Sequence, residues 1–485
     1  MGTRIKQVKD FGARQAARLI TEMLPRISDE KLSALVRLGL WLSNDPEIVN
    51  GTQKVLRLLE TPDHPAKELF RRVLLYLSPR QRVKLFDTLF NHAFFHGGKR
   101  RDYVEAHDGF RPPFIMILSP TYHCNLRCKG CYTLGYGTRP ELPYEVVDRV
   151  LDECEMMGIY FVTVLGGEPL TYPHLFRMLE AHPNIFFQVY SNGTLMTKEK
   201  AKRFADCGNA AVVLSIEGGE KETNSWRGKG VYKKIMNAFD YLREARVLIG
   251  SSATVTRQNV MTVSSEAFID KMISMGSVAQ MYFLYIPVNG MADFSLMVTP
   301  EQRNHLRKRV IETRNTKPLF VLDFWNDGPY VQGCIAGGRR YFHINAKGDV
   351  EPCVYTHIAV DNIMHKSLKE VLNSPLFRSI RRRQPHNPNH LRPCMIIDNP
   401  HVLREVIAEN HPYFTHPGAE EIFTTKSKQM DEYAARWGKL ADKVWRNEYN
   451  PDGTRKDDQF EIKESQIEVE EDTQEYVSQC GMIGA

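Results

Sequence analysis

From Pro113 onward the chain repeats one unit: a short run that is apolar at nearly every position, followed by a longer amphipathic stretch. The runs lie at 114–118, 160–165, 185–190, 211–216, 248–254 and 281–286. A run this short that shows no polar alternation suits a strand covered on both faces, and helices placed between such strands act as crossovers of a parallel sheet. Six strand–helix units predict an α/β fold, a partial (β/α)6 TIM-like barrel. Its functional loops should then follow the C-terminal ends of the strands.

The flanks read differently. Residues 1–105 carry apolar positions at helical spacing and two marked helix starts, Asp45-Pro46 and Ser78-Pro79, so an all-helical N-terminal domain is expected. The helix after Ser78 should bury Val83, Phe86, Leu89 and Phe90. The barrel is assigned to 113–315. A small α+β domain at 316–398 follows, with a hairpin turning at Lys347-Gly348 and a helix near 366–382. A helical extension occupies 399–450, with its main helical stretch at 419–445, and an acidic tail containing "EVEEDTQE" occupies 451–485 and should be disordered. A chain of 485 residues suits two or three such domains.

At 42% hydrophobic and 25% charged, the composition is that of a protein with a real core. No apolar stretch reaches the roughly 18–20 residues that span a bilayer. The start "MGTRIKQVKDFGARQ" lacks a signal peptide's apolar centre, and Lys6 stands where a myristoylation signal wants Ser or Thr. Nine clustered cysteines suit a reducing compartment, so a cytoplasmic location is expected. Net charge is a modest +6. The basic runs at 99–101 and 381–383 read as solvated faces; contact with an acidic substrate or lipid headgroup is the sharper alternative, and peripheral membrane contact has no other support. Neither run is interleaved with aromatics, which disfavours nucleic acid.

Directly after the first apolar run stands "CNLRCKGC", with Cys124, Cys128 and Cys131 inside eight residues. Three thiolates on a loop leaving a strand can hold three irons of a cubane cluster and leave the fourth open, whereas four cysteines would close a zinc or ferredoxin site. Zinc could recruit His123, but ligands at adjacent positions make awkward geometry. Further strand ends carry "GGEP" (Gly166, Gly167, Glu168, Pro169), "SNGT" (Ser191 to Thr194) and "SIEG" (Ser215 to Gly218), the last followed by Arg227-Gly228. Taken singly, these are ordinary turn residues. Their chemistry also suits a ligand: paired glycines allow close backbone approach, hydroxyl and amide groups suit a ribose, and an arginine fork suits a carboxylate.

Together these motifs resemble the radical S-adenosylmethionine (SAM) superfamily. The resemblance covers roughly residues 113–395. It implies a [4Fe-4S] cluster on Cys124, Cys128 and Cys131 whose open iron chelates SAM. It also implies SAM contacts from Gly166, Gly167, Glu168 and Pro169, from Ser191 and Asn192, and from Ser215, Glu217 and Arg227, with Thr254, Thr256 and Asn259 as weaker candidates. Two departures stand out. The family's aromatic just before the third cysteine is replaced by Gly130, with Tyr132 one place after that cysteine, and Glu217 stands where members often have aspartate.

Of the remaining cysteines, Cys154 and Cys207 read as packing residues on helices. Cys334 and Cys353 sit in "GCIAGGRRYFHINAKGDVEPC", and Cys394 follows a helix. This arrangement resembles the auxiliary-cluster domains called SPASM and twitch. A full SPASM domain carries more cysteines and a second cluster, so the resemblance implies one auxiliary iron–sulfur cluster on Cys334, Cys353 and Cys394. Its fourth iron would be open or held by another group, such as His357 or the distant Cys480. What the resemblance implies overall is a radical SAM enzyme that cleaves SAM reductively and abstracts hydrogen from a small-molecule, lipid or peptide substrate, with flavodoxin or ferredoxin as the reducing partner. The motifs name no catalytic residue beyond the cofactor set. Tyr282, Tyr285, Asp323, Trp325 and His357 are candidates for the substrate cavity, with core packing the alternative for the tyrosines. The competing readings are a SAM-binding or electron-transfer iron–sulfur protein without turnover and, within the enzyme reading, a peptide-modifying maturase.

Overall fold

Short apolar strands that alternate with helices leave each strand one parallel neighbour on either side, and that is the sheet this chain builds. The computed structural model describes residue 53 and residues 56–135, 139–288 and 293–457. Most of the expected N-terminal helical domain before residue 56, with Asp45-Pro46, and most of the acidic tail, with Cys480, lie outside the described residues. The six expected strands are present as β1 (Ile115–Leu118), β2 (Phe161–Val164), β3 (Phe186–Ser191), β4 (Ala210–Ser215), β5 (Leu248–Val255) and β6 (Ala279–Leu284). All pair in parallel with their sequence neighbours.

The sheet is larger than six strands. β7 (Phe320–Asp323) joins β6 in parallel, so the barrel sheet runs on past residue 315. At the other edge β8 (Tyr341–Ile344) pairs in parallel with β1 and turns back antiparallel into β9 (Val350–Glu351), giving the order β7-β6-β5-β4-β3-β2-β1-β8-β9. The expected hairpin therefore exists, and its first arm extends the barrel sheet. Gly348 supplies its turn at φ 86°, a conformation that a residue with a Cβ rarely adopts. The cysteine segment after residue 334 is fastened to β1, the strand that leads into "CNLRCKGC".

Side chains alternate across each strand, so the sheet has two distinct faces. On β3, Phe187 and Val189 are fully buried, whereas Gln188 and Tyr190 are half-buried. Helix Tyr144–Met157 buries Val147, Val150, Leu151 and Cys154, and ends at Gly158 in the left-handed conformation. The Cys154 thiol lies 3.6 Å from Met116 Sδ, as a packing residue should. Cys207 closes helix Lys198–Cys207, with Gly208 as its left-handed cap.

On the N-terminal side, Ser78 and Gln81 form a reciprocal capping box on helix Pro79–Phe86. That helix continues through a π-helical stretch, Asp87–His96, into helix Gly97–Asp108. Val83, Phe86 and Leu89 are only half-buried; deeper burial falls to Ala93 and Val104 farther along. Where this element meets the barrel, Gly97 faces Gly158. A Cβ on either would come within 2.7 and 2.5 Å of the other's carbonyl oxygen, so the contact requires two glycines. Arg101 seals the contact by donating to Gly158 O at 2.7 Å.

The expected helix near 366–382 is two helices, Leu368–Leu372 and Pro375–Arg382, and the extension contains helices Pro400–Asn410 and Ser427–Glu448. Trp437 on the last helix is fully buried and donates to Leu391 O at 3.0 Å. Among the described residues no helix is long and apolar enough to cross a membrane.

Candidate functional site

The loop after β1 carries Cys124, Cys128 and Cys131, all half-buried free thiols. Two backbone bonds, Tyr122 N to Pro140 O at 2.9 Å and Leu142 N to Pro120 O at 2.8 Å, pin its ascending limb against the following segment. Lys129 N donates to Trp226 O at 2.8 Å and ties its tip to the loop after β4. Burial raises the Cys124 thiol and pushes Cys128 up to about 12; Cys131 adds to both shifts and Cys124 to that of Cys128, which Arg227 opposes. Thiols that disfavour ionisation in each other's company suit sharing a metal centre, which supplies the compensating positive charge. Among the described residues no three His, Cys, Asp or Glu side chains close on one point as the ligands of a single ion would. A cluster, whose ligands stand on separate irons, does not require such convergence.

Gly130 now has a physical reason. It sits at φ 68°, and a Cβ there would meet the Tyr285 ring at 2.7 Å and the Trp226 ring at 2.9 Å. An aromatic at position 130 has no room, because Trp226 and Tyr285, whose rings make an edge contact at 6.0 Å, already fill the space beside the third cysteine.

The "GGEP" glycines are likewise set by close approach. A Cβ on Gly166 would fall 2.3 Å from Thr121 O, and one on Gly167 2.2 Å from His123 O. Gly167 N and Glu168 N donate to those same carbonyls at 2.9 and 2.8 Å, so this turn lies flat against the segment entering the cysteine loop. Glu168 is fully buried and accepts from Asn192 N at 2.7 Å, Ser191 Oγ at 2.8 Å and Leu170 N at 3.1 Å. Its carboxylate joins the loops after β2 and β3. Pro169 opens a 3-10 turn behind it. Asn192 turns its amide to Asn125 Oδ1 at 3.0 Å and to Cys124 Sγ at 3.9 Å.

Arg227 is committed to a partner. Its Nε and Nη2 grip Glu217 at 2.5 and 2.6 Å, and Nη1 points to Cys128 Sγ at 3.9 Å. Glu217 is almost wholly buried, so it takes up the fork that sequence reasoning had reserved for a ligand carboxylate. Asn259 donates to Glu217 O and Thr254 O at 3.1 and 2.9 Å and accepts from Thr256. These three residues therefore buttress the Glu217 loop. Ser215 receives Ser252 Oγ at 3.4 Å.

The second cysteine set is assembled from three separate segments. Cys353 follows β9 and accepts from Tyr341 Oη at 3.0 Å. Cys394 N donates to Asp398 Oδ2 at 3.0 Å, and Asp398 is clasped by Arg303 in an ion pair with no exposed side chain on either partner. Burial raises all three thiols, Cys353 to about 12, and Cys334 contributes to the shifts at both Cys353 and Cys394. The described cysteines form no disulfide. His357 is fully buried and neither ring nitrogen has a hydrogen-bond partner; the nearest carboxylate oxygen, Glu351 Oε1, is 3.9 Å from Nδ1. Its ring stacks on Tyr132 at 6.4 Å, on the side of the first cysteine set.

Of the expected cavity residues, two belong to the core. Tyr282 Oη donates to Val263 O at 2.6 Å, and buried Asp323 is bonded to Asn326 at 2.6 Å; both lie on the helix-covered side. Trp325 packs on Tyr355 at 5.7 Å. The residues that do face the concave interior went unread in the sequence. Tyr190 on β3 reaches Met281 on β6 at 2.6 Å although β4 and β5 intervene, so the contact crosses the barrel. Phe283 touches Tyr190 at 5.8 Å and stacks on Phe324 at 4.8 Å. Tyr355 meets Tyr132 at 5.8 Å. The interior-facing positions Gln188 and Tyr190 of β3, and Met281 and Phe283 of β6, stand two residues apart, and that period was the available signal. Also missed was a buried chain from Ser119 to His343 Nε2 (2.8 Å) and from His343 Nδ1 to Glu351 (2.6 Å), which locks β1 to the β8–β9 hairpin.

A parallel α/β barrel with three cysteines at the end of its first strand, and three more brought against its edge, defines an iron–sulfur protein with its site at the strand C-termini. Residues 118–260 match the sequence model of the Radical SAM superfamily, and residues 334–395 match SPASM, an iron-sulfur cluster-binding domain. The AdoMet-dependent heme synthase of Methanosarcina barkeri (strain Fusaro / DSM 804) is 25% identical over 300 residues, 56% of this chain and 85% of that protein. Mycofactocin maturase MftC of Mycobacterium tuberculosis (strain ATCC 25618 / H37Rv) is 26% identical over 295 residues, 57% of this chain and 74% of its own length. In fold, the crystal structure of Streptococcus suis SuiB bound to S-adenosylmethionine superposes with a TM-score of 0.51 at 20% identity, covering 65% of this chain and 76% of that one. The chain carries a radical SAM domain and a SPASM domain, and it is an enzyme whose cofactors are a [4Fe-4S] cluster, SAM and auxiliary iron–sulfur.

Proposed function

We propose that Cys124, Cys128 and Cys131 hold the SAM-cleaving [4Fe-4S] cluster, that the loops after β2, β3 and β4 bind SAM beside it, and that hydrogen is abstracted from a substrate seated in the barrel mouth. The observation that carries this reading is the convergence of three successive strand ends on the cysteine loop: "GGEP" packed on Thr121 and His123, Asn192 on Cys124, and the Glu217–Arg227 pair on Cys128. When bound, the reduced cluster and SAM supply a 5'-deoxyadenosyl radical. The chain's part is orientation and exclusion of water. Glu168 fixes two loops from inside the fold, and Arg227 holds positive charge beside the buried sulfurs. Because Glu217 occupies its fork, Arg227 serves SAM through that charge.

Cys334, Cys353 and Cys394 are assigned to one auxiliary cluster with an open or non-cysteine fourth position. A flavodoxin- or ferredoxin-type donor and a cytoplasmic, reducing setting complete the reading, supported by the absence of disulfides among the described cysteines. The maturase name of one relative favours a peptide as the substrate's carrier over a free small molecule or lipid.

Anaerobically reconstituted and reduced protein should release 5'-deoxyadenosine from SAM. Fully iron-loaded, reduced wild-type protein that forms none, with candidate substrates or cell extract present, would return the chain to a SAM-binding or electron-transfer role. Iron near eight per chain supports two cubane clusters, and iron near four removes the auxiliary one.

A further inference from the structure

We infer that the barrel mouth accepts an uncharged, apolar portion of the substrate, and that Tyr355 of the SPASM segment is the wall that makes it selective. The inference rests on the radical SAM reading of the site and goes on to name the chemistry of what enters it.

The contacts that cross the barrel are made by Gln188, Tyr190, Met281 and Phe283, with Phe324 stacked on Phe283 beside them. Of these, Gln188 and Tyr190 are spent on the Met281 thioether, at 3.8 and 2.6 Å. Strand alternation extends the pattern. The positions in register with them, Thr163 on β2, Ala211 and Val213 on β4, and Ser252 and Thr254 on β5, are uncharged, and the acid this face carries at its far end, Glu351 on β9, is spent on His343 of β8 at 2.6 Å. The carboxylates nearest the mouth are already engaged: Glu168 by three donors, Glu217 by Arg227, and Asp323 by Asn326 on the opposite face of β7. A charged group entering such a space loses its hydration and gains no free counter-ion, which disfavours its entry.

Tyr355 closes this space from the C-terminal side. Its ring meets Tyr132, the neighbour of Cys131, and Trp325, just past the end of β7. It stands two residues after Cys353, and its ring contacts therefore join the second cysteine segment to the neighbour of Cys131. It is half-buried, as Tyr132 is, while Trp325 is buried, and no hydrogen bond to its hydroxyl is found among the described residues. The one polar atom it presents is therefore free to meet a neutral polar group beside the apolar portion.

The test uses three probes that share one ring and differ in charge: p-cresol (neutral), 4-hydroxyphenylacetate (anionic) and tyramine (cationic). Their binding to the anaerobic, iron-loaded protein is measured by saturation-transfer NMR, without reductant. The wild-type protein should bind p-cresol about tenfold or more tighter than either ion. Phe283→Asp should lose p-cresol by a similar factor and gain tyramine. Because an aspartate in a barrel strand can unfold the chain, Tyr355→Trp, which adds bulk on a loop, is measured beside it and should also weaken p-cresol. Equal binding of all three probes, or p-cresol binding that neither variant changes, overturns the inference. Failure of SAM cleavage in the wild-type protein would break the functional reading while the probe series still reports on the chamber, so the two failures are distinguishable.

Discussion

The two cysteine sets reach similar chemistry by opposite routes. Cys124, Cys128 and Cys131 lie on one loop and need little more than the end of β1 to bring them together. Cys334, Cys353 and Cys394 come from a turn, a hairpin and the start of a helical extension, and they meet only because Arg303 grips Asp398 and β8 pairs with β1. The first set is a local motif placed on a finished fold. The second is a product of the fold, so damage near it should appear as lost stability and lost iron, whereas damage to the first should appear as lost chemistry.

The largest test is to remove one cysteine from each. Cys128→Ala should bring 5'-deoxyadenosine formation to background while the far-ultraviolet spectrum and the second cluster remain, iron falling by about four per chain. Cys394→Ala should lose a similar amount of iron and still cleave SAM. If Cys394→Ala abolishes cleavage with the first cluster intact, the separation of the two sets fails.

Asp398→Ala probes the tertiary route directly. It strands a fully buried guanidinium, and breaking a buried pair costs about 3–5 kcal/mol. Denaturant unfolding should show that loss, and the iron it releases should match the second cluster only. A change below about 1 kcal/mol would mean that the segment is held by other contacts.

The same contrast governs what could be read in advance. The six central strands were legible because each is an apolar run covered on both sides, and "CNLRCKGC" because its spacing is local. β7 and β8 were not legible: "FVLD" follows a long polar helix, and β8 looks like one arm of a hairpin until its pairing with β1 is seen. Glu217, Arg227 and Glu168 were legible as residues, but their hydrogen-bond partners within the fold were not. Sequence places an acid and a base on a loop; only the fold shows that they satisfy each other and leave Asn192 and one arginine nitrogen to face the sulfurs. Tyr190, Phe283 and Tyr355 were missed because an aromatic facing a cavity has the same sequence signature as one facing a core.

A smaller effect is expected where the local loop meets its one buried ion pair. Arg227→Ala leaves Glu217 in place with 1% of its side chain exposed, a loss of about 2 kcal/mol, and removes the positive charge beside Cys128. SAM affinity should fall, read by equilibrium binding, while iron content stays near wild type. Loss of the first cluster in this variant would show that the loop depends on tertiary support as much as the second set does, and would erase the contrast.

The smallest effect lies on the barrel's outer layer, where a long-range charge cluster is open to water. His182 Nε2 lies 3.0 Å from Asp148 Oδ1 and Nδ1 lies 3.6 Å from Glu155 Oε1, the aspartate being 42% exposed. Burial works against the charged imidazole, but Glu155 and Asp148 outweigh it and hold His182 above its ordinary value. Asp148 is held below its own, chiefly by the Tyr144 hydroxyl and then by His182, and Glu155 is lowered by His182 against the pull of burial. The histidine's contribution is complete below its unfolded pKa of about 6.5 and is lost as pH rises through the folded value; the carboxylates' contribution is present above about pH 4 and is lost as pH falls through theirs. The stability difference between wild type and His182→Gln should therefore peak between about pH 5 and 6, decline toward pH 8, and stay under about 1 kcal/mol because solvent screens the pair. A difference of several kcal/mol, or one that grows toward pH 8, would show that this cluster behaves like the buried Arg303–Asp398 pair, and that burial is not what separates the two kinds of long-range contact.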